Sequence, residues 1–122
     1  MTSPAARPLT TADHCIRGAE QELARDLDGA RRSYRAAWDA AATDPERCIA
    51  AHYLGHLSDD LDLQLAWHRR ALDFAARSAP ELVDAFYPSL HACLGRTLTR
   101  LGRDAEAAPH LQRAAELGFP LT

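Results

Sequence analysis

Apolar residues recur at intervals of three and four positions along most of this chain, which is the periodicity of one face of an α-helix. Ala and Leu dominate the apolar set, and we find no convincing strand. The pattern therefore predicts an all-α protein. We expect six helices, at about residues 11–25, 29–42, 45–57, 61–77, 78–101 and 104–117.

The predicted helix ends carry capping signals. A Ser, Thr or Asp just before a helix can accept a hydrogen bond from a free N–H of the first turn. The predicted caps are Thr10 with Asp13, Asp44 followed by Pro45, Ser78 with Glu81, and Asp104. Gly102 is expected to mark the last turn and Gly118 to stop the final helix. Pro88 falls inside the fifth helix, so we expect either a kink or two shorter helices there.

The apolar side chains of the predicted helices are expected to form the helix contacts. They are Ile16, Leu23 and Leu27 for helix one; Ala30, Tyr34, Ala37 and Ala41 for helix two; Leu61, Leu65, His68 and Leu72 on one face of helix four, with Leu63, Trp67 and Phe74 on the other; and a stripe from Leu82 through Phe86 and Leu90 to Leu101 for helix five.

A four-point pattern of small and large residues occurs twice. Small residues allow two helices to cross closely, so the pattern predicts helix-turn-helix units that repeat along the chain. The first set is Gly18, Ala30, Tyr34 and Ala37, and the second, 77 positions later at the same offsets, is Gly95, Ala107, Leu111 and Ala114.

A middle copy of this pattern has a different register. Leu54 and Gly55 form a Leu-Gly pair, but Gly55 precedes Ala71 by 16 positions, whereas Gly18 precedes Ala37 by 19. Either the turn of the middle unit is shortened by about one helical turn, or the Leu-Gly pair is a coincidence.

The stretch from Pro88 to Pro120 resembles a tetratricopeptide repeat (TPR). The residues that carry the resemblance are Leu94-Gly95, Leu98, Ala107, Leu111, Ala114 and the final Pro120. His91 stands where the family favours Trp, and Leu98 stands where it favours Tyr. The resemblance implies one domain over about 10–122, a right-handed superhelix of about three antiparallel hairpins, with repeats at about 10–43, 44–78 and 79–121. Residues 1–9 are expected to be a flexible arm.

The resemblance also implies a concave groove, lined by the first helix of each repeat, that binds a protein or peptide without catalysis. The groove positions are Cys15, Ala19 and Glu22; His52, His56 and Asp59; and Ser89, Ala92, Arg96, Thr99 and Arg100. Arg96 and Arg100 lie one turn apart and are the obvious contacts for an anion. Those TPR domains that clamp the C-terminal carboxylate of chaperone tails use Lys and Asn on these helices. This chain contains neither residue, so we do not expect it to bind chaperone tails. The ends of a three-repeat stack lack a capping helix, which also predicts a homo-oligomer.

Composition and charge limit the classes of partner that this chain is expected to bind. All fourteen basic residues are Arg, a bias typical of GC-rich genomes such as those of actinobacteria. A net charge of -3 with both signs interspersed argues against nucleic acid. No apolar run approaches the roughly 20 residues that cross a bilayer, and the N-terminus lacks the apolar core of a signal peptide, so we expect no membrane contact and a cytoplasmic location. Cys15, Cys48 and Cys93 are expected to stay reduced.

His52 and His56 support an alternative function, a small metal- or ligand-binding helical bundle. Imidazoles at i and i+4 can both ligate Zn²⁺, with Asp59 or Asp60 and water completing the site. The other histidines show no ligand spacing and are expected to be packing or surface residues; they are His14, His68, His91 and His110. We expect no cofactor and no enzymatic activity, because the nearest nucleophile–base pair, Cys48 with His52, lacks an oxyanion element or phosphate loop.

Overall fold

The computed structural model of this protein describes residues 7–120 and consists of helices packed as hairpins. The elements are α1 (Thr11–Leu23), α2 (Leu27–Ala40), α3 (Asp44–Leu57), α4 (Leu61–Ala76), α5 (Pro80–Val83), a 3-10 turn (Asp84–Phe86), α6 (Tyr87–Arg100) and α7 (Asp104–Glu116). No strand occurs within residues 7–120, which confirms the predicted all-α class. Within that range no helix is both long and apolar enough to span a bilayer. Residues 1–6, most of the predicted arm, lie outside the described residues.

Consecutive long helices pair as antiparallel hairpins. α1 packs on α2, α3 on α4, and α6 on α7, while α2 also packs on α3 and α4 on α6. The core between them contains the fully buried side chains of Tyr34, Leu90 and Leu98. The hairpins therefore form one continuous stack through shared cores.

In each hairpin the two helices cross at a glycine of the first helix. A Cβ added at that glycine would collide with the larger side chain opposite, so this side chain packs directly against the backbone of the first helix. The three pairs are Gly18 with Tyr34 Cε1 at 2.3 Å, Gly55 with His68 Cε1 at 2.8 Å, and Gly95 with Leu111 Cδ2 at 2.6 Å from the Cβ position. The Leu54-Gly55 pair is therefore the structural counterpart of the other two crossings and not a coincidence.

The spacing from Gly55 to Ala71 is short because α3 ends soon after Gly55. Five helical residues follow Gly18 in α1 and Gly95 in α6, but only two follow Gly55 in α3. The connection within each of the three hairpins has the same length, three residues. The connections after α1 and α6 contain a left-handed residue, Arg25 with φ 65° and Gly102 with φ 75°, whereas α3 ends in extended backbone. The predicted shortening is thus real, but it removes the last turn of a helix and leaves the length of the connection unchanged.

The predicted cap of α1 is confirmed and that of α3 is wrong. Thr10 accepts a hydrogen bond from the N–H of Asp13, and the Asp13 carboxylate accepts one from the N–H of Thr10. Before α3 the same reciprocal arrangement uses Thr43 and Glu46. The predicted cap Asp44 is already the first helical residue, because the extended backbone that a cap requires lies at Thr43.

Two further predicted caps are wrong. The Ser78 hydroxyl donates a 2.7 Å hydrogen bond back to the Phe74 carbonyl, so it caps no following helix, and α5 begins after Ala79 without a side-chain cap. Asp104 is the first residue of α7, and Arg103 holds the cap position. Gly118 ends the final helix as predicted, with φ 90°.

The predicted contacts of helix one are wrong. Ile16 and Leu23 are 59% and 87% exposed, and Leu27 is 43% exposed. The buried face of α1 consists instead of Thr11, Cys15 and Gly18. α1 is the first helix of the stack, so within residues 7–120 no helix covers its outer side.

The predicted fifth helix is divided into α5, the 3-10 turn and α6, the second of the alternatives at Pro88. The tighter 3-10 turn breaks the helical register, so the stripe expected from Leu82 through Phe86 does not continue into α6. Leu82 and Phe86 are exposed, and Val83 is buried in their place. In α4, Leu63 is also exposed, whereas Leu65 and His68 are buried as expected.

Candidate functional site

A cavity with two arginines lies where α3, α4 and α6 meet, and we call it the cationic cavity. Its volume is about 270 Å³, and its lining residues are His56, Gln64, His68, Cys93, Arg96, Thr97 and Arg100. Arg96 and Arg100 lie one turn apart near the end of α6, and both are exposed. Neither guanidinium has a carboxylate within ion-pair distance among residues 7–120. The cavity therefore presents two cations without an acidic partner in the described chain.

Arg96 is held in place by an aromatic ring. Its guanidinium carbon lies 5.2 Å from the centroid of Phe119, which follows the left-handed Gly118 after α7. An aromatic face stabilises a cation without forming hydrogen bonds to it, so the N–H donors of the guanidinium stay free to bind a carboxylate. On its other side Arg96 borders a further hollow of about 410 Å³ with Thr99, Arg100 and Leu111.

His68 forms the buried wall of the cationic cavity and is uncharged. Its side chain is almost fully buried, and its Nδ1 has no hydrogen-bond partner among the described residues. Burial, with a smaller contribution from the nearby His52 and His56, lowers the pKa of His68 to about 4. At neutral pH His68 therefore adds no positive charge to that of the two arginines.

A smaller cavity, which we call the apolar cavity, lies between α3 and α6. On α3 it is one helical turn closer to the N-terminus than the cationic cavity. Its volume is about 150 Å³, and its lining residues are Cys48, Ile49, His52, Tyr53, Phe86, Ser89 and Leu90. The buried Nδ1 of His52 has no partner among the described residues, and burial lowers the pKa of this imidazole to about 4. Burial also raises the pKa of the Cys48 thiol to about 11, so the predicted nucleophile–base pair is a thiol beside a neutral ring at pH 7.

Glu22 connects α1 to these cavities. Its carboxylate accepts a hydrogen bond from the Tyr34 hydroxyl and lies 3.3 Å from Nε2 of His56. This contact places an acidic group of the first hairpin beside a lining residue of the cationic cavity.

Two predicted site residues lie elsewhere. Asp59 pairs with Arg31 at 3.0 Å and borders a separate hollow between α2 and α4, so it does not face the cationic cavity. Asp60 accepts hydrogen bonds from the N–H groups of Asp62 and Leu63 as the cap of α4. Both corrections follow from the early end of α3, because residues 59 and 60 already belong to the connection.

The predicted metal site is not assembled. His52 faces the apolar cavity, His56 faces the cationic cavity, and Asp60 is occupied as a helix cap. Within residues 7–120 no three side chains of the His, Cys, Asp or Glu type are placed to share a metal ion.

A different pair of histidines comes together in the third hairpin. Nδ1 of His91 on α6 lies 3.1 Å from Nδ1 of His110 on α7. No spacing within the sequence predicts this pair, because the two residues are 19 positions apart and on different helices. The available signal was the antiparallel pairing of α6 with α7 through Gly95 and Leu111, which brings the first half of α6 alongside the second half of α7.

The structure thus places five of the eleven predicted groove residues at two cavities between α3 and α6. The cationic cavity takes His56, Arg96 and Arg100, and the apolar cavity takes His52 and Ser89. Comparisons with protein families, curated proteins and solved structures give no match for this chain.

Proposed function

We propose that this chain is a non-catalytic interaction module of the TPR type, which binds an acidic segment of a protein or peptide partner between α3 and α6. The observation that carries the proposal is the cationic cavity, where Arg96 and Arg100 lack a carboxylate partner within residues 7–120. A guanidinium binds a carboxylate through two parallel hydrogen bonds, and such charged bonds contribute about 1.5–3 kcal/mol. The partner therefore supplies Asp or Glu side chains to these two arginines.

The apolar cavity adds a second requirement to the partner. His52 and His56 border the two cavities and lie one turn apart, which corresponds to a rise of about 6 Å. Side chains at i and i+2 of an extended peptide point to the same side and lie about 6.6 Å apart. A segment with an acidic residue and an apolar residue two positions away matches this spacing.

Free thiols support an interaction module that works in a reducing compartment such as the cytoplasm. Cys15, Cys48 and Cys93 form no disulfide with one another. Burial raises the pKa of the Cys15 and Cys48 thiols to about 11, which keeps them protonated and unreactive at neutral pH and fits a role without covalent chemistry.

Selection from a display library of random extended peptides tests the proposal. The wild-type chain is the target. Counter-selection against an Arg96→Ala/Arg100→Ala variant removes peptides whose binding does not depend on these arginines. Arg17→Ala/Arg32→Ala is the matched control, because both of its arginines are exposed on other helices and the net charge changes equally. We expect peptides rich in Asp and Glu that bind wild type and the control and lose about tenfold or more in affinity for the double variant, a change of at least 1.4 kcal/mol. Peptides without acidic residues, or equal binding to all three proteins, would contradict the proposal.

We also propose self-association through the outer face of α1. Ile16 and Leu23 lie seven positions apart on that face and are largely exposed, so a second copy packed on this face would bury both. Light scattering coupled to size exclusion tests this, and Ile16→Ser/Leu23→Ser should shift the population toward the monomer. A 13.4 kDa species at millimolar concentration of the wild type would contradict it.

A further inference from the structure

His91 and His110 face each other across the α6–α7 hairpin. Their Nδ1 atoms are 3.1 Å apart, and the two ring planes differ by 23°. The ring of Tyr87 stacks on the other side of His91, with centroids 6.0 Å apart. Both imidazoles are half-buried, so the pair is fixed between two helices and an aromatic ring while remaining open to solvent.

The two nitrogens are within N–H···N hydrogen-bond distance, and the same separation is also that of neighbouring ligands on one metal ion. Two nitrogens at about 2.0–2.1 Å from a metal, with an angle between 90° and 109°, lie about 2.9–3.4 Å from each other. We propose that His91 and His110 bind one divalent transition-metal ion, such as Zn²⁺, Ni²⁺ or Cu²⁺, through their Nδ1 atoms. Imidazole nitrogen is a preferred ligand of all three ions. One ring of the pair moves its Nδ1 proton to Nε2 when the metal binds.

Space for the remaining ligands lies beside the pair. His91 borders a hollow of about 400 Å³ together with Asp84, Tyr87, Arg113 and Leu117. Since no third His, Cys, Asp or Glu of residues 7–120 completes the set, water fills the remaining positions. The site therefore has exchangeable positions that a further ligand can enter.

The charges around the pair are compatible with a bound cation. Burial lowers the pKa of both His91 and His110, so that at pH 7 the rings are in the neutral form that coordinates metals. Two arginines nearby repel a cation, and each has a carboxylate within ion-pair distance that reduces this effect, although Glu106 is also bound by Arg103. The pairs are Arg69–Glu106 at 3.8 Å and Arg113–Glu116 at 3.3 Å.

Calorimetric titration of tag-free protein with Zn²⁺ and Ni²⁺ at pH 7.5 tests the site. The proteins are wild type, His91→Gln, His110→Gln and the control His14→Gln, which removes a half-buried histidine of α1 that has no such neighbour. We expect one ion per chain in wild type and in the control. Loss of an outer hydrogen-bond partner alone costs about 10- to 100-fold in metal affinity, so loss of either direct ligand should cost at least tenfold.

Imidazole nitrogen NMR of the wild type gives a readout that does not depend on the folding of the variants. With Zn²⁺ the Nδ1 resonances of His91 and His110 should shift together and saturate at one equivalent. Absence of saturable binding up to about 1 mM metal would overturn the proposal. So would unchanged affinity in both glutamine variants, or zinc-induced shifts confined to other histidines.

Discussion

Gly55 lies directly against the imidazole of His68, with its Cβ position only 2.8 Å from Cε1. At the same crossing of the other hairpins the glycine meets Tyr34 or Leu111. His68 therefore occupies a packing position as a polar ring whose Nδ1 has no partner within the described chain. The same ring forms a wall of the cationic cavity, so one residue links the stability of the stack to the proposed binding site.

We predict that His68 makes the protein less stable in mild acid. Its pKa is lowered from 6.5 to about 4 in the folded protein, mainly by burial, so the unfolded chain takes up a proton at a higher pH than the folded chain does. The contribution to stability is therefore complete above pH 6.5 and is lost as the pH falls toward 4. Between pH 7 and pH 5 this loss amounts to about 2 kcal/mol at most.

The measurement is urea unfolding of wild type and His68→Leu at both pH values. Leucine is the residue that fills the equivalent position in the third hairpin, so the variant should fold. The free energy of unfolding should fall less in the variant than in wild type, by about 1–2 kcal/mol. Identical losses in the two proteins would show that His68 takes up its proton equally in both states.

We predict that Gly18→Ala destabilises the first hairpin, although alanine is more favourable than glycine inside a helix by about 1 kcal/mol. The new methyl group would lie 2.3 Å from Cε1 of Tyr34, a rigid ring whose hydroxyl is bonded to Glu22. Such overpacking costs about 1–3 kcal/mol, so a net loss of about 1 kcal/mol is expected. In a Tyr34→Ala background the same substitution should be neutral or stabilising. Equal effects in both backgrounds, measured by chemical unfolding, would mean that the ring is not the obstacle.

Thr43 and Asp44 compete for the cap of α3, and we predict that Thr43 has the larger effect. Thr43→Ala removes the reciprocal bonds with Glu46 and should cost about 1 kcal/mol. Asp44→Ala removes only a charge in the first turn and its 3.3 Å contact with Arg47, worth about 0.3–1 kcal/mol. Thermal unfolding of both variants orders the two effects. A larger loss for Asp44→Ala would restore the cap predicted from sequence.

We predict that Cys93 reacts with a small alkylating reagent before the other two cysteines. It is half-buried and borders the cationic cavity, whereas Cys15 and Cys48 are buried with pKa values raised to about 11. Burial also raises the pKa of Cys93, but Arg96 and Arg100 act in the opposite direction. Mass spectrometry of proteolytic fragments should find modification at Cys93 at least about tenfold faster. An acidic peptide selected for binding should slow it, and protection by a neutral peptide as well would point to a different binding mode.

The helices were predictable because periodicity and capping spacing are local properties of the sequence. Thr10 and Asp13 satisfy a spacing that one helix turn dictates, and the structure confirms it. The cap of α3 was not predictable in the same way, because Thr43 and Asp44 are both capping types and the backbone angles decide between them. The exposure of Ile16 depends on which helices pack on α1, which periodicity alone does not encode.

The positions of candidate-site residues were predictable wherever the helices have the lengths that the repeat pattern implies. Arg96, Arg100 and His56 were expected to share a surface, and they border one cavity. The expectation failed at Asp59, since α3 loses its last turn and this residue falls in the connection. The contact of His91 with His110 depends on the rotation of two helices about their axes, which no spacing within either helix reveals.

Chemical-shift mapping on isotope-labelled protein tests the proposed function most directly. The probe is an acidic peptide obtained by the selection described above, and a copy with Asn and Gln in place of Asp and Glu is the control. We predict shifts at 49–56 of α3 and at 89–100 of α6 that saturate with the acidic peptide, weaken with added salt and are absent with the control. Shifts concentrated on the outer surfaces of α2 and α7, or equal shifts with both peptides, would contradict binding between α3 and α6.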